Sequence, residues 1–220
     1  MGYLPIFPDV AGERCLVIGG EPVAEVRVRT LRDADAHVTV IAPTITTTLA
    51  EWEQAGRITV VRRRYQGGDL DGHALAFCTD LTEDLDAIVS AARALRLPLN
   101  VMDRPALCSF IVPAVVRRGD LQVAISTGGA SPALAGIIRS ELDELFGPEY
   151  ESLLDLMRAL RDHLRSREYT ASERADLLRG LATDLRAAML QHDHAAVEDI
   201  VARRLGIQLD ELGVTLPAGR

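Results

Sequence analysis

Five short apolar runs, separated by amphipathic or turn-forming stretches, fill the first 110 residues of the chain. Strands covered by helices on both faces need such unbroken runs, so the alternation predicts strand–helix–strand units around a parallel sheet. Arg14-Cys15-Leu16-Val17-Ile18 reads as a strand running into Gly19-Gly20, and Pro22 to Ala34 as the helix after it, with Pro22 suited to a first helical turn. His37 to Ala42 is a second strand that breaks at Pro43, and Thr44 to Ala55 is polar in front and helical behind. Ile58 to Val61, Leu75 to Cys78 and Leu99 to Met102 are the remaining strands, with a loop at Gly67-Gly68 and a helix from Leu81 to Leu95.

The pattern changes after Pro105. Phe110 to Arg117 and Leu121 to Ser126 read as two strands joined by Arg118-Gly119-Asp120, a hairpin signal. Ser126-Thr127-Gly128-Gly129-Ala130-Ser131-Pro132 then leads into a helix from Ala133 to Phe146, which Gly147-Pro148 ends. Beyond Glu149, leucines and valines recur at helical spacing: Leu153, Leu154, Met157, Leu160 and Leu164, then Leu177 to Met189, then Val197 to Leu205. Residues 213–220 carry a proline and a glycine and are expected to fray. The organisation expected is 1–110, 111–147 and 148–220: an α/β unit, a small α+β module and a helical unit.

With 24 basic against 32 acidic side chains the net charge is −8 in 220 residues, which speaks against a generic nucleic-acid binder. No apolar run reaches the ~18–20 residues that would cross a bilayer, and the start (Met1-Gly2-Tyr3-Leu4-Pro5) lacks the pattern of a leader, so a soluble cytoplasmic protein without membrane attachment is expected. Cys15, Cys78 and Cys108 are odd in number and sit in apolar segments, the mark of buried reduced thiols. All 24 basic residues are arginines, whose guanidinium forks suit carboxylate partners.

Several segments carry chemistry beside a plain structural role. Gly19, Glu21 and Ala24 stand at the three positions of the dinucleotide fingerprint Gly-x-Gly-x-x-Gly/Ala, so the middle glycine that lets backbone amides approach a pyrophosphate is a glutamate. By itself the loop fits a dinucleotide site and an ordinary strand-to-helix turn alike. Its carboxylate should repel a pyrophosphate, weakening binding or displacing the loop unless it points outward to solvent. An acidic residue to grip a ribose after the second strand is missing, since Ala42-Pro43-Thr44 stand there. Asp103 follows the fifth strand, at the sheet edge where such folds place ligands, and fits both a proton acceptor and a turn-forming residue. The loop from Ser126 to Pro132 fits an anion cradle as well as a helix cap at Ser131. Arg62-Arg63-Arg64 could attract an anion or stay solvated, and His192-Asp193-His194 reads as a helix start rather than a metal site, so no metal ligands are assigned.

Read together, Tyr3-Leu4-Pro5-Ile6-Phe7, Cys15-Leu16-Val17-Ile18-Gly19-Gly20 with Val23-Ala24, and Val38-Thr39-Val40-Ile41-Ala42-Pro43 resemble the precorrin-2 dehydrogenases. Asn100-Val101-Met102-Asp103 with Cys108-Ser109-Phe110-Ile111-Val112-Pro113, and Ile125 through Pro132, resemble two further segments of that family. The resemblance runs in order from residue 3 to about 146, and the helical remainder matches in character only. Three positions depart from the family pattern. Glu21 replaces a third consecutive glycine, Asp35 a glycine common before the second strand, and Leu81 a more polar residue after Thr79-Asp80.

The resemblance implies a Rossmann-like NAD-binding domain, a central dimerisation module and a C-terminal helical domain that helps close a tetrapyrrole cleft. It implies NAD-dependent oxidation of precorrin-2 to sirohydrochlorin in siroheme biosynthesis, in some members with insertion of ferrous iron, by a homodimer. Asp103 matches the catalytic aspartate. Gly19, Gly20, Glu21, Pro22, Val23, Pro43, Thr44 and Thr79 stand at the cofactor-contacting positions, and Thr127 lies where some relatives carry a modifiable serine. The substrate is a polycarboxylate, so Arg104, Arg117, Arg118 and Arg139 are candidates to bind it. A tetrapyrrole-binding protein that has lost NAD, or a chelatase on the same fold, is the alternative that Glu21 raises.

Overall fold

A computed structural model describes residues 2–216 of the chain. Two compact units divide at Val112 and Pro113. In the first, β1 (Arg14–Ile18), β2 (His37–Ile41), β3 (Thr59–Val61), β4 (Leu75–Cys78) and β5 (Leu99–Val101) form a parallel sheet in the order β3-β2-β1-β4-β5. The register pairs Ile18 with Ile41 on one side and with Cys78 on the other, and Cys78 with Val101, so four strands end level. The chain leaves β1 towards β2 and β3 on one flank and continues with β4 and β5 on the other. The reversal opens a crevice at the carboxyl ends of β1 and β4, where doubly wound sheets bind their ligands.

The apolar runs of the sequence become strands because both faces of the sheet are roofed by helices. Cys15 and Val17 pack with Ala24, Val28 and Leu31 of α1 (Pro22–Arg32) and Leu49 of α2 (Thr47–Gln54). Their neighbours Leu16 and Ile18 point the other way, onto Ile88, Val89 and Ala92 of α3 (Leu85–Leu95) and onto Leu70. α3 starts four residues later than its apolar pattern suggests. Asp80 Oδ1 accepts from the Thr82 amide and hydroxyl, which makes a turn first, and Asp84 then caps the helix by accepting from the Ala87 amide. Asp35 adopts a left-handed backbone, φ +57°, the conformation that explains why a glycine suits that place.

In the second unit β6 (Ala114–Arg118) and β7 (Leu121–Ile125) pair antiparallel around Gly119-Asp120, a shorter loop than expected, with Arg118 closing the ladder. The strand begins at Ala114 instead of Phe110, because the Phe110 ring belongs to the first unit, edge-on to Phe77 at 5.5 Å between centroids. α4 (Pro132–Leu145) follows, capped by Ser131. α5 (Glu149–Arg165), α6 (Ala171–Leu190) and α7 (His194–Leu205) close around Leu156, Leu160, Leu181, Leu185, Val197 and Val201. Asp193 is the cap of α7, which accounts for the His-Asp-His run. Val214 and Leu216 pack on this cluster instead of fraying, and residues 217–220 lie outside the described part of the chain.

Cys15 and Cys78 are buried, and burial pushes their thiols up to about 11 and about 12. Cys108 departs from the expectation of burial and is only partly covered. His73, ahead of β4, has both ring nitrogens buried without a hydrogen-bond partner. Burial and the neighbouring Arg14 cation hold its pKa below the ordinary 6.5. The unfolded chain therefore binds more protons than the folded one below that pH, and stability falls as the pH drops through 6.5 until the lowered folded-state pKa is passed. Urea midpoints at pH 7.5 and 5.5 should decline in the wild type and decline less in His73→Gln; equal slopes would acquit the ring.

Candidate functional site

The crevice begins where β1 stops. Gly19 has φ +130° and donates its amide to the Ile41 carbonyl at 2.9 Å, and the Gly20 carbonyl accepts from the Thr46 amide at 3.0 Å. These bonds bind the turn to the end of β2 so closely that side chains are excluded. A Cβ on Gly20 would lie 2.1 Å from the Thr44 carbonyl oxygen, and one on Gly19 would lie 2.2 Å from Thr79 Oγ1. Thr79 is buried beneath the turn, its amide and hydroxyl both donating to the Ile18 carbonyl at 2.8 and 3.3 Å. A cleft of about 470 Å³ opens beside the turn. Gly20, Glu21, Pro43 and Thr44 line it, joined by Ala42, Ile45, Thr46, Arg64 and Asp80. Pro22 and Val23 begin α1 beside it and are exposed.

Glu21 does not point outward. Its carboxylate folds back over the turn, and Oε2 accepts from the Gly20 amide at 2.7 Å. Oε1 is buried without a partner, 2.9 Å from where a Cβ of Gly19 would stand. The residue is the N-cap of α1 yet makes no capping bond to the helix amides. Its charge and those of Asp80 and Glu83 add to burial in raising the Cys78 thiol.

Asp103 sits at the same carboxyl edge, exposed, with a left-handed φ of +53°, but it does not line the cleft. Its loop is stitched to β5. Ser109 exchanges bonds with Leu99 through its amide and hydroxyl, each at 2.8 Å, and Asn100 Nδ2 donates to the Phe110 carbonyl at 3.0 Å. Cys108 Sγ lies 3.2 Å from both the amide nitrogen and the carbonyl oxygen of Val101. The Asn-Val-x-Asp and Ser-Phe segments thus hold one loop whose tip is Asp103.

Other candidates separate. Arg62 pairs with Glu53 and Arg63 with Asp69, while Arg64 reaches the cleft, donating to the Thr82 carbonyl at 3.2 Å and standing 3.7 Å from Glu83. Sequence inspection named that run without separating its members, and Asp80 and Thr46 were missed because only strand register places them at the crevice. Arg118 is committed to Asp143, donating to its carbonyl at 2.8 Å with an ion pair at 3.1 Å, which takes it off the list of substrate arginines. Arg104, Arg117 and Arg139 are exposed. Within the Ser126–Pro132 loop, Gly128 donates to Ser126 Oγ, Ala130 to the Thr127 carbonyl and Ser131 to Thr127 Oγ1. The Thr127 hydroxyl also donates to the Ser131 carbonyl, so both its roles are filled locally. Among the described residues no group of three His, Cys, Asp or Glu side chains could hold a metal ion, and no helix is long and apolar enough to cross a membrane.

Residues 6–114 match the family described as "Putative NAD(P)-binding", and residues 118–145 the family described as "Sirohaem biosynthesis protein central". The siroheme synthase of Pseudomonas entomophila is 42% identical over 167 residues, 76% of this chain and 36% of that protein. Those of Stutzerimonas stutzeri and Thioalkalivibrio sulfidiphilus are 39% and 37% identical over 175 and 168 residues, covering 79% and 76% of this chain and 38% and 34% of theirs. The chain thus spans little more than a third of the curated relatives it matches. The solved structure of SirC, precorrin-2 dehydrogenase, superposes with a TM-score of 0.68 at 24% identity, covering 88% of this chain and all of that one, and it shows the same fold.

The turn fits a nicotinamide dinucleotide. It is a cradle that a Cβ would fill, and its amide already holds an anionic group. Gly20→Ala should force the Thr44 backbone away, lowering stability by about 1–3 kcal/mol in urea titration and abolishing dinucleotide binding; a variant as stable and as tightly bound as wild type would show that the approach is slack.

Proposed function

We propose that the chain is a member of the siroheme synthase family and that it oxidises precorrin-2 to sirohydrochlorin with NAD. The observation that carries the reading is the side-chain-free Gly19-Gly20 turn at the switch point of the sheet, in a chain that continues into the sirohaem central segment. Gly19, Gly20 and the start of α1 at Pro22 and Val23 would hold the pyrophosphate on backbone amides, with Pro43 and Thr44 against the adenosine side and Thr79 supporting the turn from below. NAD is favoured over its 2′-phosphorylated form because Arg64, the cation of the cleft lining, is already engaged by Thr82 and Glu83. When bound, the nicotinamide supplies the hydride acceptor.

The residues of the chain do the rest. The reaction removes a hydride and a proton from the macrocycle, and Asp103, held at the tip of its stitched loop, takes the proton on its carboxylate. Arg104, exposed beside Asp103 on the same loop, meets a substrate carboxylate as a bidentate partner. A homodimer is part of the reading. Val115 on β6 and Leu134, Ile137 and Leu145 on α4 are exposed apolar side chains on a two-stranded sheet and its helix, a pairing too small to be stable uncovered. The three unpaired cysteines support a reducing, cytoplasmic setting.

Absorbance traces with precorrin-2, with and without NAD and ferrous iron, test the reaction. NAD-dependent conversion is expected. Iron-dependent change without NAD would favour the chelatase, and binding without change the NAD-free tetrapyrrole protein, the reading that the occupied Gly20 amide supports. Asp103→Asn should fold normally and lose ~10²–10⁴ in turnover; a rate within about threefold of wild type would reduce Asp103 to a turn residue. Light scattering at micromolar concentration should give twice the chain mass, and a value near 23.9 kDa would refute the dimer.

A further inference from the structure

The Glu21 carboxylate stands in a place built for an anion that is not part of the chain. Its Oε2 takes the Gly20 amide at 2.7 Å, the donor that the tight turn presents to the cleft, and does so from the neighbouring residue instead of capping the helix it precedes. The carboxylate lodges in the space left by the missing side chain of Gly19. It is poorly served there: Oε1 is buried with no donor, the costly condition for a charged oxygen. An anion with more oxygens, entering from the cleft, satisfies the amide without leaving a carboxylate oxygen stranded.

We propose that Glu21 is a tethered counter-anion that occupies the Gly20 amide in the free protein and is displaced by the pyrophosphate of the dinucleotide, so that it gates the cofactor site and lowers its affinity. The proposal rests on the dinucleotide reading above. Displacement differs from simple repulsion, in which Glu21 would stay put beside the bound phosphates. In displacement the Gly20 amide exchanges one acceptor for another, and the side chain rotates while the backbone turn, pinned by Ile41 and Thr46, stays in place. The penalty is then set by the strength of the bond being broken, and a charged acceptor makes a stronger bond than a neutral one of the same shape.

Calorimetry with NAD and with inorganic pyrophosphate on wild type, Glu21→Gln and Glu21→Ala, together with the ¹⁵N–¹H resonance of Gly20, tests this. Expected is an affinity order of alanine over glutamine over wild type. The alanine variant should gain at least about tenfold, ~1.4 kcal/mol, and NAD should move the wild-type Gly20 resonance to its position in the loaded alanine variant. Glutamine keeps an acceptor for Gly20, so its intermediate value reads the charge alone in a protein whose turn is preserved. Equal affinities in the three proteins would overturn the gate and leave the dinucleotide site standing. Weaker binding by the alanine variant would also overturn it, making Glu21 a contact to the cofactor. A gain in affinity with an unmoved Gly20 resonance would reduce the effect to repulsion. Failure of all three to bind NAD or pyrophosphate would remove the dinucleotide reading itself, and the gate with it.

Discussion

The double burial of β1 is the constraint on which the first unit depends. Cys15, Leu16, Val17 and Ile18 are fully buried, two on each face, so the strand has to lie at the centre of the sheet with helices above and below. Once it does, β2 and β4 take its two edges in parallel, and the chain must turn sharply at Ile18 to leave the sheet without crossing either neighbour. The crevice that holds the candidate site is therefore a by-product of how the core is covered.

That turn carries conflicting demands. Close packing on Thr44 and Thr79 requires residues without side chains at positions 19 and 20, and the same bareness exposes an amide that needs an acceptor. The chain supplies one from Glu21 at the cost of a buried, unpaired carboxylate oxygen. Local polar satisfaction and ligand binding thus compete for one N–H. At the other side of the edge no such conflict arises: Ser109, Asn100 and Cys108 spend their polar groups on β5, and Asp103 is left free at the tip of the loop they close.

The proposed dehydrogenase would need a dinucleotide cradle and a proton acceptor held by separate elements, and the Gly19-Gly20 turn and Asp103 both lie at the carboxyl edge of one sheet. The cradle is made of backbone and tolerates little change, whereas Asp103 rests on a loop defined by side-chain bonds. The left-handed backbone at Asp103, uncommon outside glycine but accessible to aspartate, shows how tightly that loop is drawn. The polycarboxylate substrate proposed above would be suited by an all-arginine set of cations even in a chain of net charge −8.

Apolar periodicity alone determined the α/β class, the strand runs and the helical C-terminal third, because burial on one or two faces leaves a period that needs no knowledge of partners. Short motifs likewise disclosed Gly19-Gly20 and Asp103, since tight turns and strand ends restrict residue type. Other features were decided only by tertiary structure. Thr46, Arg64 and Asp80 reach the cleft through strand register, a property of pairing between segments distant in sequence. Phe110 left its expected strand for the Phe77 ring, and Arg118 left the candidate site for Asp143. The direction of the Glu21 carboxylate belongs with these. A sequence shows that a charge stands beside a glycine turn, but whether it faces solvent or the Gly20 amide depends on the space that Gly19, Thr79 and the end of β2 leave around it.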